Sequence, residues 1–122
     1  MGYMKHHAIV MVAGDHHKQP DVAAFRESLP ARWRPLVIGP IGSVINDYHL
    51  YAFLPDGSKE GWTDSDDGDI YRERFRALFA FRHAGGSSPF AGVQISLSED
   101  FRQDSFERFP DNGERADKED DQ

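Results

Sequence analysis

Three groups of residues in this 122-residue chain have the types and spacing that site chemistry would need. Asp15-His16-His17 puts a carboxylate and two imidazoles in succession, the oxygen and nitrogen donors that a divalent metal takes. The run Asp64-Ser65-Asp66-Asp67-Gly68-Asp69 is dense in oxygen donors suited to calcium. Arg74 is a cation among the apolar residues of a helical pattern, where a buried guanidinium needs a carboxylate, a carbonyl or a ligand anion. The favoured, plainer account is that the first turns overhang the sheet and Arg74 snorkels to water.

Spacing decides between these chemistries and plainer readings. An EF-hand loop needs oxygen donors at positions 1, 3 and 5, glycine at 6 and a bidentate Glu at 12. With Gly68 at position 6, Arg74 falls at position 12 and the register fails. The acidic run then reads as a helix start, with Asp or Ser as the cap and the other carboxylates near the positive end of the dipole. Six histidines occur, but none in a His-x-x-x-His or His-Glu-x-x-His spacing, and no cysteine could complete a zinc site. The 15–17 loop remains the metal candidate and the basis of an alternative reading as a metal-dependent or small-ligand enzyme. No cofactor is implied. Gly85-Gly86-Ser87-Ser88 has the composition of a phosphate loop but follows a helix, whose free carbonyls repel anions.

Two aromatic sets are candidates for contact with a ligand or partner. Tyr51 and Phe53 stand two apart on a predicted strand, as the stacking residues of RNA-binding sheets do. Nucleic-acid binding through Tyr51, Arg72 and Arg76 is nevertheless the least favoured reading, because residues 1–98 hold eleven acidic against ten basic residues and offer no basic field. Phe101, Phe106 and Phe109 lie in an acidic stretch that serves either as a cover for the sheet or as a docking segment.

The elements that would position these residues follow from periodicity. Residues 6–13 form an apolar strand whose two alternating sets both demand cover. Pro20 and Asp21 open a short helix with Val22, Phe25 and Leu29 on one face, and Pro30 stops it. Residues 33–42 read as a second strand, confined to an edge by two prolines. Residues 48–54 give a third, central strand, Pro55-Asp56-Gly57-Ser58 a turn, and 59–62 a brief return as a hairpin arm. Residues 69–82 read as the second helix, with Ile70, Tyr71, Phe75, Leu78 and Phe79 among its apolar arc and Arg74 inside it. Residues 91–98 alternate Val93, Ile95, Leu97 with Gln94, Ser96, Ser98, which predicts an edge strand with the apolar set inward.

This order predicts an α+β, ferredoxin-like β-α-β-β-α-β two-layer sandwich with the first and third strands inside, the alternative being an antiparallel meander with helices on one face. The α+β domain spans 1–98. Residues 99–122, with ten acidic and four basic side chains, form an acidic tail whose last dozen residues are expected to be disordered.

The composition fits a folded body with a polar surface: 39% of residues are hydrophobic and 29% charged, with a net charge of −7. No run reaches the roughly 18 apolar residues of a membrane span. The absence of cysteine suits a reducing compartment, so a cytoplasmic location is expected, with Met4 an alternative start to Met1. The functional expectation is a small, non-enzymatic protein acting through protein contacts in a regulatory or accessory role, with a homodimer through a sheet edge as one form.

Overall fold

A computed structural model describes residues 4–14, 19–99 and 104–110. The elements in chain order are β1 (Lys5–Ala13), α1 (Val22–Ser28), a 3₁₀ helix (Ala31–Leu36), β2 (Val37–Gly42), β3 (His49–Phe53), α2 (Thr63–Ala77), β4 (Phe90–Ser98) and β5 (Ser105–Phe109). The strands form one antiparallel sheet in the order β2-β3-β1-β4-β5. The chain is thus α+β, with the first and third strands inside the sheet and the second at an edge.

Aromatic rings join the helices to one face of this sheet. Phe25 of α1 meets Phe53 at 6.3 Å and Phe75 at 5.7 Å, and Phe79 meets Tyr51 at 5.3 Å and Phe90 at 5.1 Å. Their mostly edge-to-face geometry suits the ring quadrupoles. Ile9, Met11 and Ala13 of β1 complete the core from below and are fully buried. Asp21 caps α1, its carboxylate accepting from the Ala24 N–H at 2.9 Å, and Val22, Phe25 and Leu29 are buried as their spacing requires.

The second strand starts later than expected. Residues 31–36 wind into a 3₁₀ helix because the chain must turn Trp33 inward, where it is buried and packs edge-on against Tyr71 at 5.0 Å. The hairpin from β2 to β3 places Asn46 and Asp47 at φ of 70° and 61°, a left-handed region these two residue types tolerate.

The second helix begins six residues before the expected start and ends five before the expected end. Its N-cap, Trp62, makes no side-chain capping bond, so the expected Asp or Ser cap is absent. Asp64 and Asp66 instead occupy the first turn, where the positive end of the dipole favours them. At the other end, Leu78 and Phe79 bond back three residues to Phe75 and Arg76, which tightens the last turn and stops the helix.

The expected edge position of the fourth strand is also corrected. Ser105–Phe109 pairs with β4 from Ser96↔Ser105 to Gly92↔Phe109, so the sheet takes up residues beyond the expected boundary at Ser98. Phe109 is buried beneath Arg76, whose guanidinium lies 4.4 Å from the ring centre. The antiparallel sheet and helices give the class; the strand alternation gives the surface.

Candidate interaction surface

Residues paired across an antiparallel sheet share a face, so the register assigns every strand position to one of two sides. Met11, paired with Tyr51 and Gly92, marks the side covered by helices. The next position, Val10, is paired with Ala52 and Val93 and points the other way. Continuing the alternation, the second side carries His6, Ala8, Val10 and Val12 from β1, Leu50 and Ala52 from β3, and Ile38 and Ile41 from β2. From β4 and β5 it carries Ala91, Val93, Ile95, Leu97, Phe106 and Arg108. None of the described helices covers it.

This reverses the expected orientation of 91–98. The apolar set Val93, Ile95 and Leu97 faces outward, with Leu97 47% exposed, while Gln94, Ser96 and Ser98 face the helix layer. The polar side chains are satisfied there: Arg76 donates to Gln94 Oε1 at 3.0 Å, and Ser96 Oγ lies 2.8 Å from His7 Nδ1. Gly92 is where the inner face becomes tight, since a Cβ there would lie 2.6 Å from Met11 Cε and 2.7 Å from the Val10 carbonyl. The expectation that the first strand is covered on both faces fails for the same reason. Its second face is open, with Val10 46% exposed and Phe106, further along the same face, 70% exposed.

A polar cluster lies at the N-terminal end of α2. Arg72 is 3% exposed and donates to Asp69 at 2.7 Å and to Asp56 at 3.4 Å. Asp56 uses its other oxygen to accept the Ser58 N–H at 2.7 Å, which shapes the turn after β3. The buried residues of α2 are Ser65, Gly68, Arg72 and Phe75, an i, i+3, i+7, i+10 stripe. Nearby, Glu60 Oε2 lies 3.2 Å from His7 Nε2, so hydroxyl, imidazole and carboxylate of Ser96, His7 and Glu60 form a chain. Together with the Met4↔Lys59 bridge, it fastens the 54–62 loop to the sheet. A cleft of about 180 Å³ beside this loop is lined by Trp33, Asp56, Ser58 and Trp62, with the Arg32–Asp64 ion pair of 2.6 Å at its margin. That bond to Asp64 raises the Arg32 pKa further above its ordinary value.

The residues singled out from sequence scatter. Arg74 is exposed, donates to Ser28 Oγ at 2.9 Å and stacks over Phe25 and Tyr71; the buried arginine is its neighbour but one, Arg72. Tyr51 points into the core at 2% exposure, its hydroxyl bonded to Gln19 and its pKa raised by burial, so it presents no ring for base stacking. Phe106 and Phe109 are separated by the strand alternation, one outward and one buried. Asp15, His16, His17 and Phe101 lie outside the described residues. Among the described residues no group of three or more His, Cys, Asp or Glu is placed to hold a metal. None of the described helices is long and apolar enough to cross a membrane.

Arg72 and the outward apolar set escaped the sequence because each depends on which face a periodic pattern presents. Gly68 carried the available signal: a glycine within a helical run marks a close approach. Comparison of the chain with protein-family models, with curated proteins and with solved structures found no match.

Proposed function

We propose that this chain is a small protein-binding module, non-enzymatic, that acts through the open face of its sheet. The single observation that carries this reading is the orientation of β4: Val93, Ile95 and Leu97 lie on the side that none of the described helices covers, while Gln94, Ser96 and Ser98 share the side of Met11 and the core. A strand in a two-layer fold that ended at this sheet would be favoured in the opposite orientation, at about 25 cal/mol for each Å² of apolar surface removed from water. A contiguous apolar face of this kind marks a contact surface. The role is regulatory or accessory, and a reducing compartment such as the cytoplasm suits a chain without cysteine.

At the level of fold, we read the β-α-β-β-α-β order as ferredoxin-like, with β5 appended beside β4 and the helices on one side. Such a sandwich leaves one sheet face free, which is the face used here. The test is to immobilise the full chain and a Val10→Asp variant and compare the proteins each retains from its host. Retention by the native chain and loss with Val10→Asp supports the reading. Identical retention by both, or none by either in the absence of self-association, overturns it.

A further inference from the structure

We infer that the occupant of the open face is a second copy of this chain, packed sheet on sheet; this rests on the interaction reading above and names its partner. The middle of the face is uncharged. Its polar groups lie at the margins: the Arg108 guanidinium on the edge strand β5, and His6, paired with Leu97, with Glu99 Oε2 at 3.1 Å from its Nε2. A partner that matches such a surface is itself an apolar sheet face, and the molecule holds one.

The relief of the face suits a second copy. Phe106, 70% exposed, stands with Arg108 as one wall of a shallow hollow of about 350 Å³ whose other lining includes Val10, Val12, Ala91 and Val93. Two copies related by a two-fold axis supply one ring for each hollow. Sheets packed face to face keep their strands within about 30° of each other at a spacing of about 10 Å, which suits rows of Val, Ile and Ala.

The available area reaches what a specific dimer needs. Five strands at about 4.8 Å by five to nine residues at about 3.4 Å give a footprint of roughly 400–700 Å² per copy before side-chain relief is counted. A specific interface needs about 500 Å² per partner, and standard ones bury about 800. The chain's own remaining residues are a poor cover: residues 111–122 contain no apolar side chain larger than Ala116, and residues 1–3, 15–18 and 100–103 contribute only Met1, Tyr3 and Phe101.

Of the two sheet edges, β2 is a poor site for the expected edge contact. It is interrupted by a register shift between Ile38 and Ile41 and by Pro40, which has no N–H to offer, while the β5 edge is separated from the face by the Val10 variant below. Arg26 already occupies the carbonyls of Val37 and Gly39 at 3.0 and 2.6 Å. β1 is the central strand, so a charge at Val10 disrupts the face and leaves both edges intact.

The experiment is sedimentation equilibrium of the full chain, its Val10→Asp variant and its Phe106→Asp variant, with circular dichroism at low concentration as the folding control. The native chain is expected to dimerise below about 100 μM, a range consistent with an interface of this size. Val10→Asp weakens association about 100-fold or more, because its carboxylate is buried among apolar side chains; Phe106→Asp, beside Arg108, weakens it through loss of the ring. A native chain that stays monomeric overturns the inference, as does a dimer that survives both variants with unchanged affinity. If the native chain is monomeric yet retains a different protein that Val10→Asp loses, the second copy is excluded and the interaction reading stands; if it retains none, both fall.

Discussion

Asp56 Oδ2 sits 2.5 Å from where the Cβ of an alanine at position 68 would be, with the Arg72 guanidinium nitrogens at 3.1 and 3.2 Å from the same point. The helix passes through glycine here because a carboxylate and an arginine occupy the space beside its backbone. Gly→Ala inside a helix ordinarily stabilises by about 0.5–1 kcal/mol. The sign reverses at this site, since Asp56 is held through its other oxygen by the Ser58 N–H and cannot swing away. Gly68→Ala is expected to destabilise by about 1–3 kcal/mol in urea unfolding. A more stable variant would show that the turn yields freely.

Arginines 72 and 74 make a direct contrast. Arg72→Met leaves Asp56, whose side chain is 11% exposed, without its cation, and is expected to lose about 2–4 kcal/mol. Arg74→Met removes only an exposed bond to Ser28 and ring contacts, and its effect should stay within about 0.5 kcal/mol. Thermal unfolding of the two variants side by side checks the assignment; equal losses would place the buried cation wrongly.

The two phenylalanines of β5 divide stability from contact. Phe109→Ala empties a buried position under Arg76 and should cost about 2–4 kcal/mol. Phe106→Ala should leave the monomer's stability unchanged within about 0.5 kcal/mol while weakening self-association. Removal of the chain after Ser98 deletes β5 altogether, so a lowered Tm is expected from that truncation as well.

Acid should loosen β5 through Glu107. Its hydrogen bonds to Arg76, and secondly the charge of Arg76, hold its pKa below the ordinary 4.5. Because the folded value lies below the unfolded one, this contribution is fully present above about pH 4.5 and is lost as pH falls through the lowered folded value. Glu107 is largely exposed, so the contribution stays below about 1 kcal/mol. Urea unfolding of the native chain and Glu107→Gln should differ by that small amount at neutral pH and converge at low pH. A difference that persists at low pH would assign the effect to packing instead.

The sequence determined the local elements it could resolve through period and punctuation. Val22, Phe25 and Leu29 place α1, apolar runs place β1 and β3, and Pro40 keeps β2 at the edge, because a 3.6-residue or two-residue repeat is a property of the chain itself. Residues 31–36, the start of α2 and strand β5 were not legible, since each depends on what the rest of the fold places beside Trp33, Gly68 and Phe109.

The site was less legible than the fold. Alternation at 91–98 announced a strand with one apolar and one polar side, but nothing local says which side meets the helices. The pairing of Val10 with Val93 and of Met11 with Gly92 made that choice, for only Gly92 leaves room for the Met11 side chain. Arg72 likewise became the buried cation only when α2 began at Thr63 and turned its Ser65–Gly68–Arg72–Phe75 stripe toward the core. Periodicity fixes that a face exists; long-range pairing decides where it points.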